Sequence, residues 1–219
     1  TGFCLAGIYP VGMKIAADYF EKGLGKSLSF LVGALVLGTA LPYLIKAYQF
    51  SFNWEIVIWI TSILATLGGL LILLFVPDGP YQKLAQRFDA SKILKVFKMP
   101  AFRSAAFGYF GHMWELYAFW TFIPIILQSY TSSHNSQFNI YLLSFIIIAS
   151  GTISCVLGGF ISSKYGVKKT AKVSLSISGC CCLLSPLFFM INSTTLFIIF
   201  LIVWGMAVIS DSPLFSTLV

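Results

Sequence analysis

The stretch VSLSISGCCCLLSPLFFMINSTTLFIIFLIVWGMAVISDSPLFSTLV, residues 173–219, contains one charged residue, Asp211. As a single helix it would be about 70 Å long, more than twice the roughly 30 Å of a bilayer's hydrocarbon core. The polar group Asn192-Ser-Thr-Thr195 divides it into two segments of membrane-spanning length. The stretch therefore predicts two transmembrane helices joined by a short hairpin.

The rest of the chain has the same character. Charged residues make up 10% and hydrophobic residues 58%, whereas about a quarter of a soluble domain is charged. The apolar runs are continuous and of helix length, unlike the short alternating segments of barrel strands. The predicted fold class is therefore an all-α, polytopic membrane protein. Its seven predicted spans are Gly2–Phe20, Ser27–Leu44, Trp54–Val76, Ser104–Leu127, Phe138–Ser162, Val173–Ile191 and Leu196–Val219.

Basic residues occupy every second connection between these spans. Twelve of the fourteen Lys and Arg lie in Glu21–Lys26, Asp78–Arg103 and Ser162–Lys172; the others are Lys46 and Lys14. Short cytoplasmic loops of membrane proteins are enriched in Lys and Arg, so these three connections are predicted to be cytoplasmic. The net charge of +7 then reflects this bias and anionic lipid at the inner face. It does not indicate a nucleic-acid partner.

The sequence contains no recognisable enzyme motif. It lacks CxxC, HExxH, Walker A, GxGxxG and GxSxG patterns. Neighbouring side chains on a helix point about 100° apart, so Cys180-Cys181-Cys182 cannot form one metal cluster. We interpret these cysteines as packing residues. The prediction is a protein that is not an enzyme and that has neither a cofactor nor a metal site.

The longest cytoplasmic connection has structure of its own. After the turn Pro77-Asp-Gly-Pro80, residues 91–98 have helical spacing, with lysines on one face and apolar side chains on the other. Pro100 ends this segment. The pattern predicts an interfacial amphipathic helix on the inner leaflet. The alternative is a connector packed on the helices. In either case the connection separates three spans from four, as a joint between two helical bundles would.

The segment Gly159-Phe-Ile-Ser-Ser-Lys-Tyr-Gly-Val-Lys-Lys169 resembles the loop signature of the major facilitator superfamily. That signature is a glycine, three residues, an acid, a base, one residue, a glycine and then basic residues. The matching positions are Gly159, Lys164, Gly166, Lys168 and Lys169, whereas Ser163 replaces the acid. The resemblance implies a conformational role for this loop, which in the family joins spans two and three and spans eight and nine.

Placed on the family's order of spans, the chain resembles spans four to ten of twelve. Leu5–Lys14 resembles span four of bacterial members, and Gly108–Trp120 is similar to span seven of transporters likened to nitrate/nitrite or cyanate permeases. Gly33–Pro42 lacks the Gly-Pro and Gly-Gly pairs of drug antiporters. Both ends of the sequence are apolar, so we expect a piece of a longer chain, with spans one to three, eleven and twelve outside it.

This register predicts how the chain is organised. Residues 1–76 would end an N-terminal bundle, 77–103 would be the central cytoplasmic loop, and 104–219 would belong to a C-terminal bundle. The resemblance implies a multi-pass protein of the bacterial inner membrane. We expect a monomer whose partners are membrane lipid, a small-molecule substrate and protons.

Ionisable groups inside a membrane are costly and normally face a bundle interior or a cavity. The deep ones here are Lys14, His112, Glu115 and Asp211. They fall in the spans that correspond to spans four, seven and ten, three of the four helices that line the central cavity in the family. The charges therefore indicate a functional site between the bundles.

His112 and Glu115 lie three residues apart, on one helix face and about 12–17 Å from the cytoplasmic end of their span. They form a candidate substrate-binding or proton-coupling pair; the alternative is a static polar pair that holds helices together. Tyr9, Trp114 and Tyr117 are candidate lining residues for the same site, although aromatic helix faces also serve packing.

Lys14 and Asp211 carry opposite charges in the inner halves of two inward-running spans. They form a candidate inner-gate salt bridge, closed when the cavity faces outward. Two alternatives stay open: Lys14 could bind an anion, or it could pair with Asp18 four residues along its own helix.

Three classes of function fit a helical membrane protein. The loops, the joint between bundles and the intramembrane charges favour a secondary active transporter that moves a small solute by alternating access. Proton-coupled symport is one expectation for it, and antiport and uniport stay open. A small anion or organic acid is the substrate class that the family implies. One alternative is a seven-span receptor, whose ends we would expect to carry polar tails. The other is an intramembrane enzyme that uses Ser212 and His112, but no oxyanion-type glycine motif accompanies these two residues.

Overall fold

The structure, a computed structural model, describes residues 2–20, 23–48, 54–82 and 95–218. Within these ranges it contains helices and connections without any strand, so the all-α prediction is confirmed. The helices are α1 (Gly2–Tyr19), α2 (Leu24–Ala47), α3 (Trp54–Phe75), α4 (Pro100–His134), α5 (Ile140–Tyr165), α6 (Val167–Phe189), α7 (Thr194–Ser210) and α8 (Ser212–Leu218).

Among the described residues, five stretches are long and apolar enough to cross a membrane. They are Leu24–Ala47, Glu55–Phe75, Ile140–Tyr165, Val167–Phe189 and Thr194–Thr217. The two other predicted spans correspond to α1 and α4, which are helical but less apolar. Their composition explains the difference, because α1 contains Lys14 and Asp18 and α4 contains His112 and Glu115.

Local signals set the helix ends. The side chain of Asn139 accepts a hydrogen bond from the N–H of Leu142 at 3.0 Å and so caps α5. Ser193 caps α7 in the same way, which confirms the predicted division of the last apolar stretch. At the other end of α5, Gly166 alone connects α5 to α6, with φ 91° and ψ 143°. Residues other than glycine rarely adopt this backbone conformation.

The last predicted span is interrupted, which the sequence analysis did not anticipate. α7 ends at Ser210, Asp211 forms a turn, and α8 begins at Ser212. Pro213 has no N–H to donate to the carbonyl of Ile209, four residues earlier, so the regular helical ladder cannot continue through this point. The N–H groups of Leu214 and Phe215 restart it on the Asp211 carbonyl, at 3.0 and 2.9 Å.

The core lies where α5 is packed between α2 and α7. These two contacts are the most extensive in the described part of the molecule. Thr152 of α5 donates a hydrogen bond to the carbonyl of Gly33 in α2 at 3.1 Å. On the other side, a Cβ atom at Gly158 would lie 2.9 Å from the backbone oxygen of Ser210. Helices in lipid associate through such close packing, because the hydrophobic effect gives them little net attraction.

The predicted amphipathic helix falls only partly on described residues, since 83–94 lie outside them. Residues 95–97 are helical, with Lys95 exposed and Val96 and Phe97 half-buried. The Phe97 ring meets Phe102 of α4 edge to face, with centroids 5.3 Å apart. The described turn is therefore packed on the start of α4.

Candidate functional site

A histidine and an aspartate meet inside the helix bundle. Nδ1 of His112 on α4 lies 3.0 Å from Oδ1 of Asp211 at the break after α7, and their side chains are 0% and 1% exposed. At 1.5 Å per residue, His112 is about 18 Å along α4 from its first residue. We call these two residues the buried dyad. A charge pair removed from water this completely needs strong compensation from its surroundings.

The compensation is incomplete. The Nδ1–Oδ1 separation is that of an ion pair, but the atoms are not aligned for a hydrogen bond. Within the described part of the chain, Nε2 of His112 and Oδ2 of Asp211 also have no hydrogen-bond partner. An unsatisfied buried polar group costs about 1–3 kcal/mol. The dyad thus keeps one ring nitrogen and one carboxylate oxygen available for a proton or a polar ligand.

Aromatic and hydroxyl groups from three helices surround the dyad. The His112 ring has its centroid 6.2 Å from that of Tyr109 and 5.6 Å from that of Phe215 on α8. Beside Phe215, the Ser216 hydroxyl lies 2.9 Å from the Tyr9 hydroxyl on α1. Ser216 and Tyr9 are also polar neighbours of the Tyr109 hydroxyl. Helices α1, α4 and α8 therefore converge on one site.

The sequence matches the family model described as Major Facilitator Superfamily over residues 1–219. The chain belongs to the major facilitator superfamily. No curated protein and no solved structure matches it. Members of this superfamily are membrane transporters and not enzymes, so the protein is a multi-pass membrane transporter.

The structure separates the two members of the predicted His112/Glu115 pair in this facilitator. Residues three apart are offset by about 60° around a helix, and that offset directs them to different neighbours. His112 faces Asp211 and α8, whereas Glu115 accepts a short hydrogen bond from the hydroxyl of Ser178 on α6. The expected partnership between His112 and Glu115 is therefore corrected to His112 with Asp211 and Glu115 with Ser178.

The candidate lining residues divide in the same way. The Tyr9 hydroxyl is a neighbour of the Ser216 and Tyr109 hydroxyls, and the Tyr109 ring stacks on His112. Trp114 and Tyr117 are 82% and 60% exposed on another side of α4, and Tyr117 packs edge-on against Trp120 with centroids 5.7 Å apart. The structure does not bring these two aromatic residues to the dyad.

The proposed gate contact between Lys14 and Asp211 is not formed in this structure. Nζ of Lys14 lies 2.6 Å from Oδ2 of Asp18, the local alternative, and the Lys14 side chain is 60% exposed. Asp211 is occupied by His112 instead.

The signature loop of the facilitator closes the inner end of α5. Gly159 lies against Ser29 of α2, where a side chain would collide with the serine hydroxyl. Lys164 lies over the ring of Tyr165, 5.3 Å from its centroid, and Lys168 and Lys169 are exposed in the first turn of α6. Lys26, in the first turn of α2, lies 5.0 Å from the centroid of the Phe160 ring. The loop therefore contacts α2, which belongs to the other predicted bundle.

Sequence reasoning missed three residues of this site: Tyr109, Phe215 and Ser216. Its signal for the pairing of His112 with Asp211 was present, since a charge at membrane depth needs a partner of opposite sign. The missing information was the break at Asp211, after which α8 begins and places the Phe215 ring beside His112. Pro213, two residues later, was the residue that could have indicated it.

Proposed function

We propose that this facilitator is a secondary active transporter that works by alternating access and couples solute movement to protons through the buried dyad. One observation carries the proposal: an ionisable pair is fully buried at membrane depth while part of its polar capacity is unused. Such groups within membrane spans commonly form proton relays and substrate sites.

The dyad's energetics depend on its protonation. With one proton shared between them, His112 and Asp211 form a neutral ion pair or a neutral acid and base. Loss of that proton leaves an uncompensated carboxylate in a closed apolar site, which is strongly unfavourable. A second proton leaves an imidazolium without its counter-ion. The singly protonated dyad therefore favours the closed arrangement, and a change in proton number favours opening or the entry of a compensating ligand.

This dependence gives a route to coupling. If the transporter closes only when the dyad carries the correct number of protons, its binding site cannot change sides of the membrane in the wrong protonation state. A ligand shifts a conformational equilibrium only through its differential affinity for the two states, and a proton at the dyad has such a difference. Nε2 of His112 would also offer a donor to a small anion or organic acid, the substrate class that the family resemblance implies.

The finer assignments of location and assembly rest on the same resemblance. We propose a monomer in the inner membrane of a bacterium, in contact with membrane lipid, with residues 1–76 and 104–219 in different bundles. The extensive packing of α2 on α5 would then be a contact between bundles.

The test is uptake in proteoliposomes with and without a pH gradient, starting from a panel of radiolabelled small organic acids and inorganic anions. We expect the parent protein to accumulate a substrate only with the gradient. Asp211→Asn should abolish accumulation but keep counterflow exchange, which needs no net proton movement. Asp18→Asn, which removes the carboxylate paired with Lys14 and leaves the dyad unchanged, is the matched control and should behave like the parent. Gradient-driven accumulation by Asp211→Asn at the parent level would disprove coupling through the dyad.

A further inference from the structure

The break after α7 changes the donors to one buried carbonyl. Because Pro213 has no N–H, the oxygen of Ile209 lacks its regular helical partner. It accepts instead from the Asp211 N–H and from the thiol of Cys155 on α5, at a sulfur–oxygen distance of 3.6 Å. Cys155 is 0% exposed. The thiol therefore supports the break at the carbonyl two residues before Asp211.

The same thiol is an electrostatic neighbour of the Asp211 carboxylate. The backbone of α5 stays close because Gly158, one turn further along, leaves no side chain between α5 and the Ser210 oxygen. The position of Asp211 is thus set from the α5 side by Cys155 and Gly158 and from the α4 side by His112.

Cys155 also lies next to Gly33 of α2. A Cβ atom on Gly33 would lie 3.8 Å from the Cβ of Cys155 and 3.4 Å from the backbone oxygen of Thr152. The Thr152 hydroxyl donates a hydrogen bond to the Gly33 carbonyl, so α5 is held against α2 in the turn that contains Thr152 and Cys155. One small side chain therefore lies between α2 and the turn that presents Asp211.

We propose that Cys155 is a positioning residue that links the α2–α5 contact to the buried dyad. A displacement of α2 along α5 would shift the Cys155 thiol. The shift would change the hydrogen bond from the thiol to the Ile209 carbonyl, and this would move the Asp211 carboxylate relative to His112. This inference rests on the proposed proton coupling for its functional consequence. The contact chain itself stands on the geometry, and it can be measured without a substrate.

The first test uses the S–H stretching band, which lies in an infrared window with few other protein absorptions. The purified transporter in nanodiscs would have every other cysteine replaced by serine, so that Cys155 gives the one thiol signal. We expect Asp211→Asn and Gly33→Ala each to shift the band. The matched controls are Asp18→Asn and Gly38→Ala, the latter on the same helix but with open space around it; neither should shift it. An unchanged band in Gly33→Ala or Asp211→Asn would overturn the proposal.

The second test is a double-mutant cycle on the pH midpoint of uptake. Gly33→Ala should move that midpoint in the parent but not in Cys155→Ala, whereas Cys155→Ser, which keeps a donor, should restore sensitivity. An equal shift in all three backgrounds would show that α2 acts on the dyad without Cys155. If none of the proteins shows a pH-dependent flux, the proposed function fails, while the infrared result still decides whether Cys155 joins α2 to Asp211.

Discussion

Gly158 of α5 lies directly against the backbone oxygen of Ser210, the last residue of α7: a Cβ atom at residue 158 would be 2.9 Å from that oxygen. The contact holds α5 next to the break that carries Asp211. It also gives the first prediction, because the clash is with backbone, which cannot rotate away.

We expect Gly158→Ala to lower the stability of the folded transporter by about 1–3 kcal/mol, as overpacking of a close-packed interior does. The measurement is thermal unfolding in detergent or nanodiscs. Gly179→Ala is the control. A Cβ atom at residue 179 would meet no atom of a neighbouring helix within 4 Å, and alanine favours a helix over glycine by about 1 kcal/mol. Equal stability of the two variants would contradict the observed packing.

The buried dyad predicts strong non-additivity. Removing one partner leaves the other buried and unpaired, at a cost of roughly 3–5 kcal/mol, whereas replacing both with apolar residues is far less harmful. Unfolding of Asp211→Leu, His112→Leu and the double variant should therefore show a double variant that is more stable than either single one. Additive losses would mean that the two side chains do not interact.

Glu115 and Asp211 can be separated functionally. Glu115 accepts a hydrogen bond from Ser178 and does not contact the dyad. Glu115→Gln should therefore retain gradient-driven accumulation to within about a factor of three, which corresponds to ~0.7 kcal/mol. Asp211→Asn should lose accumulation. The comparison needs equal amounts of reconstituted protein. Loss in Glu115→Gln with retention in Asp211→Asn would return the coupling role to Glu115.

The distribution of basic residues predicts topology. Single cysteines placed at Ser132 or Ser193 should react with an impermeant maleimide in intact cells, and those placed at Lys95 or Lys168 should react only after the membrane is opened. The background protein would lack the native cysteines. The opposite labelling pattern would reverse the assigned orientation.

Most of the helical architecture was predictable because continuous apolar runs and polar breaks are local properties of a sequence. The division at Asn192–Thr195 is an example, since Ser193 caps the following helix. The site was less predictable. Spacing predicted that His112 and Glu115 share a helix face. Their partners, Asp211 and Ser178, come from distant parts of the chain, which spacing along one helix does not reveal. The partner of Asp211 likewise depends on a tertiary contact, next to a proline that interrupts the helical hydrogen bonds within one apolar stretch.

The single-residue connection at Gly166 also bears on how the chain enters the membrane. Helices α5 and α6 have no loop between them, and Lys164, Lys168 and Lys169 surround the turn. Carrying that cluster of ammonium groups across hydrocarbon would be costly. Because one residue connects α5 to α6, neither helix can insert into the membrane independently of the other. With this turn on its predicted cytoplasmic side, we expect the two helices to leave the translocation channel together during biosynthesis, as a preformed hairpin.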